Sequence, residues 1–331
     1  MASDVDLFAF APSAKRAAEL DRRIRVALAE SLATICAALE DREKNLTPKQ
    51  LKSLLSRIRS RQVRPAVFAL YTKLVHAIEL DDIEQIDRLA EELKDPIILA
   101  PAEHRVVTLS DGMLGSNIGK RYCDIIDDDS GMPRDLSPVT DQQFRDGVDC
   151  VRVTLGLLDR VAPEVADEIR LFGQELVLAT HAPGAGEFGG ATSFYLWGAI
   201  FINPTAHATR LGMAQALSHE AAHALLFGMT MGGRMVENPD SERYPSPLRA
   251  DPRPMDGVVH ATYVIARVMH CLDCMLQADC LTDLERKEII ETLQVGMQRY
   301  REGIRTTQMH AQFTEPGRLA FQRCVEEYPP H

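Results

Sequence analysis

No apolar run in this chain approaches the ~20 residues needed to span a bilayer, so a membrane is not an expected partner. The first residues, Met1 to Phe10, lack the basic start and apolar core of a secretory signal. Positive charge is also short: 37 Lys and Arg stand against 48 Asp and Glu, for a net charge of −11. A protein that holds nucleic acid usually shows a basic face, so nucleic acid is not an expected partner either. The seven cysteines are odd in number and without framework spacing, which suits a reducing cytoplasm better than a disulfide scaffold. Cys271 and Cys274 form a lone CxxC with no second pair, and buried small thiols are the plainer reading. The glycine-rich stretch from Pro183 to Gly190 does not open a helix after a strand, so no nucleotide cradle is inferred.

What is present is ordinary for a globular protein: 45% hydrophobic and 26% charged residues. At 331 residues the chain can hold one large domain or two smaller ones. Lys15 to Leu93 carries apolar residues at spacings of three and four, the mark of amphipathic helices. Thr47-Pro48 reads as a cap and first-turn proline, and Pro65 opens another helix through His76. Composition shifts at Asp95-Pro96. We therefore expect an N-terminal helical region over 1–95 and a second, larger domain over 96–331.

Within the second part, His104 to Leu109 is a strand candidate, and Asp127 to Asp129 before Ser130-Gly131 read as a polar turn. Helices are expected from about Thr140 to Val161, Pro163 to Phe172, Asp256 to Leu276 and Asp283 to Arg305, the last followed by a loosely patterned tail. Leu176 to Leu178 and Ser193 to Ile202 are rich in β-branched and aromatic residues and predict strands. The strand before the next helix, with the loop at 184–190, is expected to border a cleft where an extended peptide pairs.

Around one helix the chemistry gathers. Thr205 to Phe227 reads as continuous, capped by Thr205 and stopped at Gly228. It carries His219-Glu220-Ala221-Ala222-His223. Histidines four apart lie on one face, because the helix repeats every ~3.6 residues, so both imidazoles can reach one metal ion with Glu220 beside them. An open catalytic site needs a third protein ligand. His260, a polar ring on the apolar helix after Asp256, is the first candidate, and Glu237 is the main rival.

Ser218 to His223, then Glu237-Asn238-Pro239, Tyr244 to Gly257 (containing Ser246-Pro247-Leu248-Arg249-Ala250-Asp251-Pro252-Arg253-Pro254-Met255-Asp256-Gly257) and His260 resemble the HEXXH-motif domain family. The likeness spans roughly residues 170 to 275. That family is associated with clusters for ribosomally synthesised, post-translationally modified (RiPP) peptides, and includes iron- and 2-oxoglutarate-dependent peptide β-hydroxylases. The resemblance implies Fe(II), 2-oxoglutarate and O₂ as reactants with a precursor peptide as substrate, and hence a dioxygenase. An oxygenase of this kind needs a cation for the distal carboxylate of 2-oxoglutarate, and Arg253, with prolines on both sides, is the first candidate and Arg249 the alternative. Two other readings stand beside it: a Zn(II) peptidase with Glu220 as general base, and a non-catalytic peptide-maturation partner. The expected fold is α+β, mostly α, with a zincin-like metal helix and a small antiparallel sheet behind an N-terminal helical layer. Homodimerisation is left open by the sequence.

Overall fold

The computed structural model describes residues 5–38, 48–95, 103–130, 134–181 and 188–330. In chain order they form helices α1 (Ala14–Ala38), α2 (Pro48–Ser60), α3 (Pro65–Glu79) and α4 (Ile83–Glu92), then strand β1 (Arg105–Thr108), α5 (Asp111–Leu114), α6 (Ile118–Ser130) and strand β2 (Leu136–Pro138). Helices α7 (Asp141–Val161) and α8 (Pro163–Phe172) precede strands β3 (Glu175–His181), β4 (Gly190–Thr192) and β5 (Ala199–Ile202), and α9 (Arg210–Thr230), α10 (Met255–Leu276), α11 (Asp283–His310) and α12 (Glu315–Glu327) complete the chain. The protein is mostly helical, and no helix among the described residues is long and apolar enough to cross a membrane.

The chain divides into two compact units. The sheet unit comprises Ala18–Phe144 and Leu171–Asn203; the histidine unit comprises Met1–Ala17, Arg145–Arg170 and Pro204–His331.

In the sheet unit the strand order is β1-β3-β5-β4, with β2 pairing off that path onto β3. β1 and β5 both run parallel to β3, while β2 and β4 are antiparallel to their neighbours. The sheet is therefore mixed rather than antiparallel. The composition accounts for this: Leu176-Val177-Leu178-Ala179 and Ala199-Ile200-Phe201-Ile202 are unbroken apolar runs, each residue at most 2% exposed. Strands covered on both faces read this way, whereas a half-solvated antiparallel strand alternates. Glu175, 1% exposed at the start of β3, accepts hydrogen bonds from Arg64 (2.9 Å), Arg105 (2.5 Å) and the Tyr122 hydroxyl (2.8 Å), so this buried carboxylate is fully satisfied.

Three local expectations need correction here. Strand β5 is hydrogen-bonded by β3 on one side and β4 on the other, which leaves no free edge on it for an extended peptide. The companion loop at 184–190 lies, through residue 187, outside the described residues. The run from Ser193 forms a 3-10 turn at Phe194–Leu196 before the strand begins, and Gly198 at φ +93° turns the chain into β5. Trp197 sits in the core, packed edge-on to Phe172 with its Nε1 donating to Asp21 at 3.1 Å. Asp127 to Asp129 occupy the end of α6 instead of a turn.

In the histidine unit α9 is buried around nearly its whole circumference and packs on α10, which in turn packs on α11. Close approach at that second contact depends on Gly303 of α11: a Cβ there would meet the Thr262 hydroxyl at 2.2 Å. Helix α9 starts and stops later than the sequence suggested. Residues 204–207 form a turn, and Thr209 is the true cap, its Oγ1 accepting from Gly212 N at 3.0 Å. Gly228 stays helical and buried, and the helix ends at Met231 in the left-handed region (φ 52°). Beyond α11 the tail forms α12, opened by Thr314, whose side chain accepts from Gly317 N, and by a first-turn proline.

Candidate functional site

On α9 the four-residue spacing does what helix geometry demands. The Nε2 atoms of His219 and His223 stand 3.3 Å apart, with ring centroids 4.9 Å apart. Two imidazole nitrogens bound to one four-coordinate metal at about 2.0–2.1 Å would be about 3.3 Å apart, so this pair fits a metal as it stands. Burial holds the His219 imidazole down to about 4, with smaller electrostatic contributions from His207 and Arg249. Burial likewise pushes His223 well below its ordinary value, with His219 and His260 adding to the shift. Both rings are therefore neutral at pH 7, the form in which imidazole binds metals.

Helix α10 brings His260 to the same cluster, but to the other side of His223. His260 Nδ1 is 3.5 Å from His223 Nδ1, and the two ring centroids are 5.7 Å apart. Burial lowers His260 too, against the opposing charge of Asp256. Asp256 stands one turn earlier on α10, with Oδ2 3.6 Å from His260 Nε2 and Oδ1 accepting from the Met235 amide at 2.8 Å. Phe227 packs against both His223 and His260, at 6.3 and 5.6 Å between centroids. Among the described residues, no three His, Cys, Asp or Glu side chains point their donor atoms at a common centre. The sequence pair is thus assembled, while the third candidate faces the nitrogen of His223 that points away from His219.

Glu220 is 6% exposed, buried beside the pair on α9. Glu237, the rival ligand, is exposed, and its amide donates to the Gln312 carbonyl at 2.6 Å. The two arginines have different surroundings. Arg249 is exposed, yet its charge is felt at His219. Arg253 pairs with Asp251 at 2.9 Å, while its buried Nε lacks a hydrogen-bond partner.

One member of the cluster escaped the sequence reading. His207, half-buried in the turn before α9, bears electrostatically on His219. Taking residues 205–209 as the first turn of the helix hid it, because a residue there would face away from position 219. Its placement in a polar turn directly ahead of an HExxH helix was the available signal.

Elsewhere in this unit Cys271 is buried, with its thiol pushed up to about 11 by burial, and Cys274 lies 3.8 Å from His270 Nε2. Burial raises the Cys274 thiol as well, which disfavours the reactive thiolate at both positions of the CxxC. No family model matches this chain, and no curated protein matches it.

Proposed function

We propose that the histidine site binds Fe(II) and, with 2-oxoglutarate and O₂, hydroxylates the β-carbon of a residue in a ribosomally synthesised precursor peptide. The observation that carries this reading is the metal-spaced imidazole pair, with Arg249 within electrostatic range of His219. His219 and His223 would hold the metal through Nε2; among the described residues no third donor shares their centre, so 2-oxoglutarate and water would fill the remaining positions. Arg249 pairs with the far carboxylate of 2-oxoglutarate, which would otherwise lie uncompensated near a buried metal centre. Glu220, buried on the same helix, directly follows His219 in the chain. When bound, iron and 2-oxoglutarate would activate O₂, the oxidant: one oxygen atom would convert C–H to C–OH and the other would enter succinate as 2-oxoglutarate loses CO₂. The protein's share is to bind, to orient and to keep the centre out of bulk water.

A zinc peptidase is the second reading, because Glu220 is the glutamate of the HExxH motif, which in such an enzyme serves as the general base. The two separate cleanly. Purified protein with Fe(II), 2-oxoglutarate and the candidate peptide should form succinate in step with a +16 Da product (one added oxygen atom). Cleavage of the peptide under anaerobic conditions, with no succinate, would replace the oxygenase with the peptidase.

A further inference from the structure

We infer that Asp256 and His260 are positioning residues, which together fix the ring proton of His223 so that its Nε2 is left free for the metal. The inference rests on the metal site proposed above and concerns how that site is organised.

A neutral imidazole carries one N–H and one lone pair, and a neighbour decides which nitrogen has which. The chain of decisions starts at Asp256. Its Oδ1 is occupied by the Met235 amide at 2.8 Å, and its Oδ2 faces His260 Nε2 at 3.6 Å. At 3.6 Å no hydrogen bond forms, but the negative carboxylate favours the proton of His260 on Nε2, which leaves the lone pair on Nδ1. That lone pair faces His223 Nδ1 across 3.5 Å. With Nδ1 to Nδ1 at 3.5 Å, a centroid spacing of 5.7 Å is close to the widest the contact allows, and the ring planes differ by 22°. The rings therefore meet edge to edge in nearly one plane, as an N–H···N bond requires. Two lone pairs facing one another would repel, so His223 carries its proton on Nδ1. Its Nε2 is then the lone-pair nitrogen, and this is the atom 3.3 Å from His219 Nε2.

Carboxylate–histidine–metal triads use the same logic with one ring. Here a second ring is inserted between the carboxylate and the ligand. Phe227, against both rings, hinders their rotation. The arrangement also explains why His260 does not share the face of His223 that meets His219.

The test uses the full chain without metal, labelled at histidine with ¹⁵N, and reads tautomers from long-range ¹⁵N–¹H correlations. His223 should show a protonated Nδ1 and an unprotonated Nε2. Asp256→Asn keeps an oxygen for the Met235 amide but turns an NH₂ donor toward His260. Its tautomer should reverse, and that of His223 with it, while the backbone spectrum is kept. Co(II) affinity should fall about 10–100-fold in that variant and recover in Asp256→Glu. His260→Gln should cost a similar factor; complete loss of tight binding would instead make His260 a ligand and overturn the assignment. A protonated Nε2 on wild-type His223 would overturn it as well, and needs no variant that folds. Correct tautomers with no Co(II) binding would leave the positioning pair standing and sink the metal site. Tight Co(II) binding with a tautomer indifferent to Asp256 would do the reverse.

Discussion

Tyr244 and Arg253 are joined by two backbone hydrogen bonds, 2.8 and 2.9 Å long, which close the segment between them into a loop. The closure holds Arg249 and Arg253 on one short stretch but leaves them in different surroundings. Arg253 is already paired with Asp251 at 2.9 Å, whereas Arg249 is the arginine whose charge reaches His219. Arg249→Lys should therefore raise the 2-oxoglutarate requirement by one to two orders of magnitude, about 1.4–2.8 kcal/mol, since lysine cannot grip two oxygens in a fork. Arg253→Lys should change it by less than about threefold, a shift below 1 kcal/mol. Steady-state kinetics at varied 2-oxoglutarate would decide, and the opposite ranking would transfer the role to Arg253.

Acid should unfold the metal-free protein early. His219 is held down to about 4 in the folded chain against 6.5 when exposed, and burial shifts His223 and His260 in the same direction. A base with a depressed folded value takes its proton first in the unfolded chain. The stability it contributes is whole above about pH 6.5 and is lost as pH falls toward 4. Each imidazole adds up to about 1.4 kcal/mol per pH unit over that window. Urea denaturation at a series of pH values should show this slope, and His219→Gln should flatten it. Equal slopes in the two proteins would be incompatible with a buried neutral His219.

Gly317 lies so close to the chain at Met235 that a Cβ would meet its carbonyl oxygen at 2.0 Å. Backbone cannot rotate away as a side chain can. Gly317→Ala is expected to cost about 2–3 kcal/mol, with Gly303→Ala at the α10–α11 contact nearer the lower end because Thr262 can move. Thermal melts would show the order, and an unaffected Gly317→Ala would mean that this contact is looser than it stands.

Glu168 is 1% exposed and joins two buried arginines, Arg16 at 2.6 Å and Arg267. Glu168→Gln leaves both guanidiniums without their anion. Such a break typically costs about 3–5 kcal/mol, more than the intact pair contributes. The readout is the denaturation midpoint; replacing all three residues by apolar ones should recover part of the loss.

How much of this was legible depends on the range of the forces involved. Local signals served well: Pro163 to Phe172 begins and ends where its proline and aromatic residue suggested, and α10 starts at Met255, within a residue of expectation. The i, i+4 histidine pair needed nothing beyond helix geometry. Strand direction did not follow from local pattern, because β3 finds its partners about 70 residues before it and 24 after it in sequence. Even there, the unbroken apolar runs carried the signature of strands buried on both faces. Start signals for α9 competed, and Thr209 prevailed over Thr205 because Pro204 and the residues after it formed a turn. The orientation of His260 was beyond reach, since which ring edge meets which is set by the packing of α9 on α10 and by the Met235 amide that anchors Asp256.

The N-terminal segment of the histidine unit has one more consequence, in time. The amides of Phe10 and Ala11 both donate to Glu327, 317 and 316 residues away, and the carbonyl of Phe10 accepts from Arg267 at 2.6 Å. During synthesis these first residues emerge long before their partners exist. At about 5–20 residues per second they wait roughly 15–60 s for α12 to leave the ribosome. The segment around Phe10 thus waits for partners made much later, and the unit holding the histidines cannot close until α12 has been made. Ribosome-stalled chains lacking α12 should leave Phe10 open to protease, whereas in the released protein it is 1% exposed.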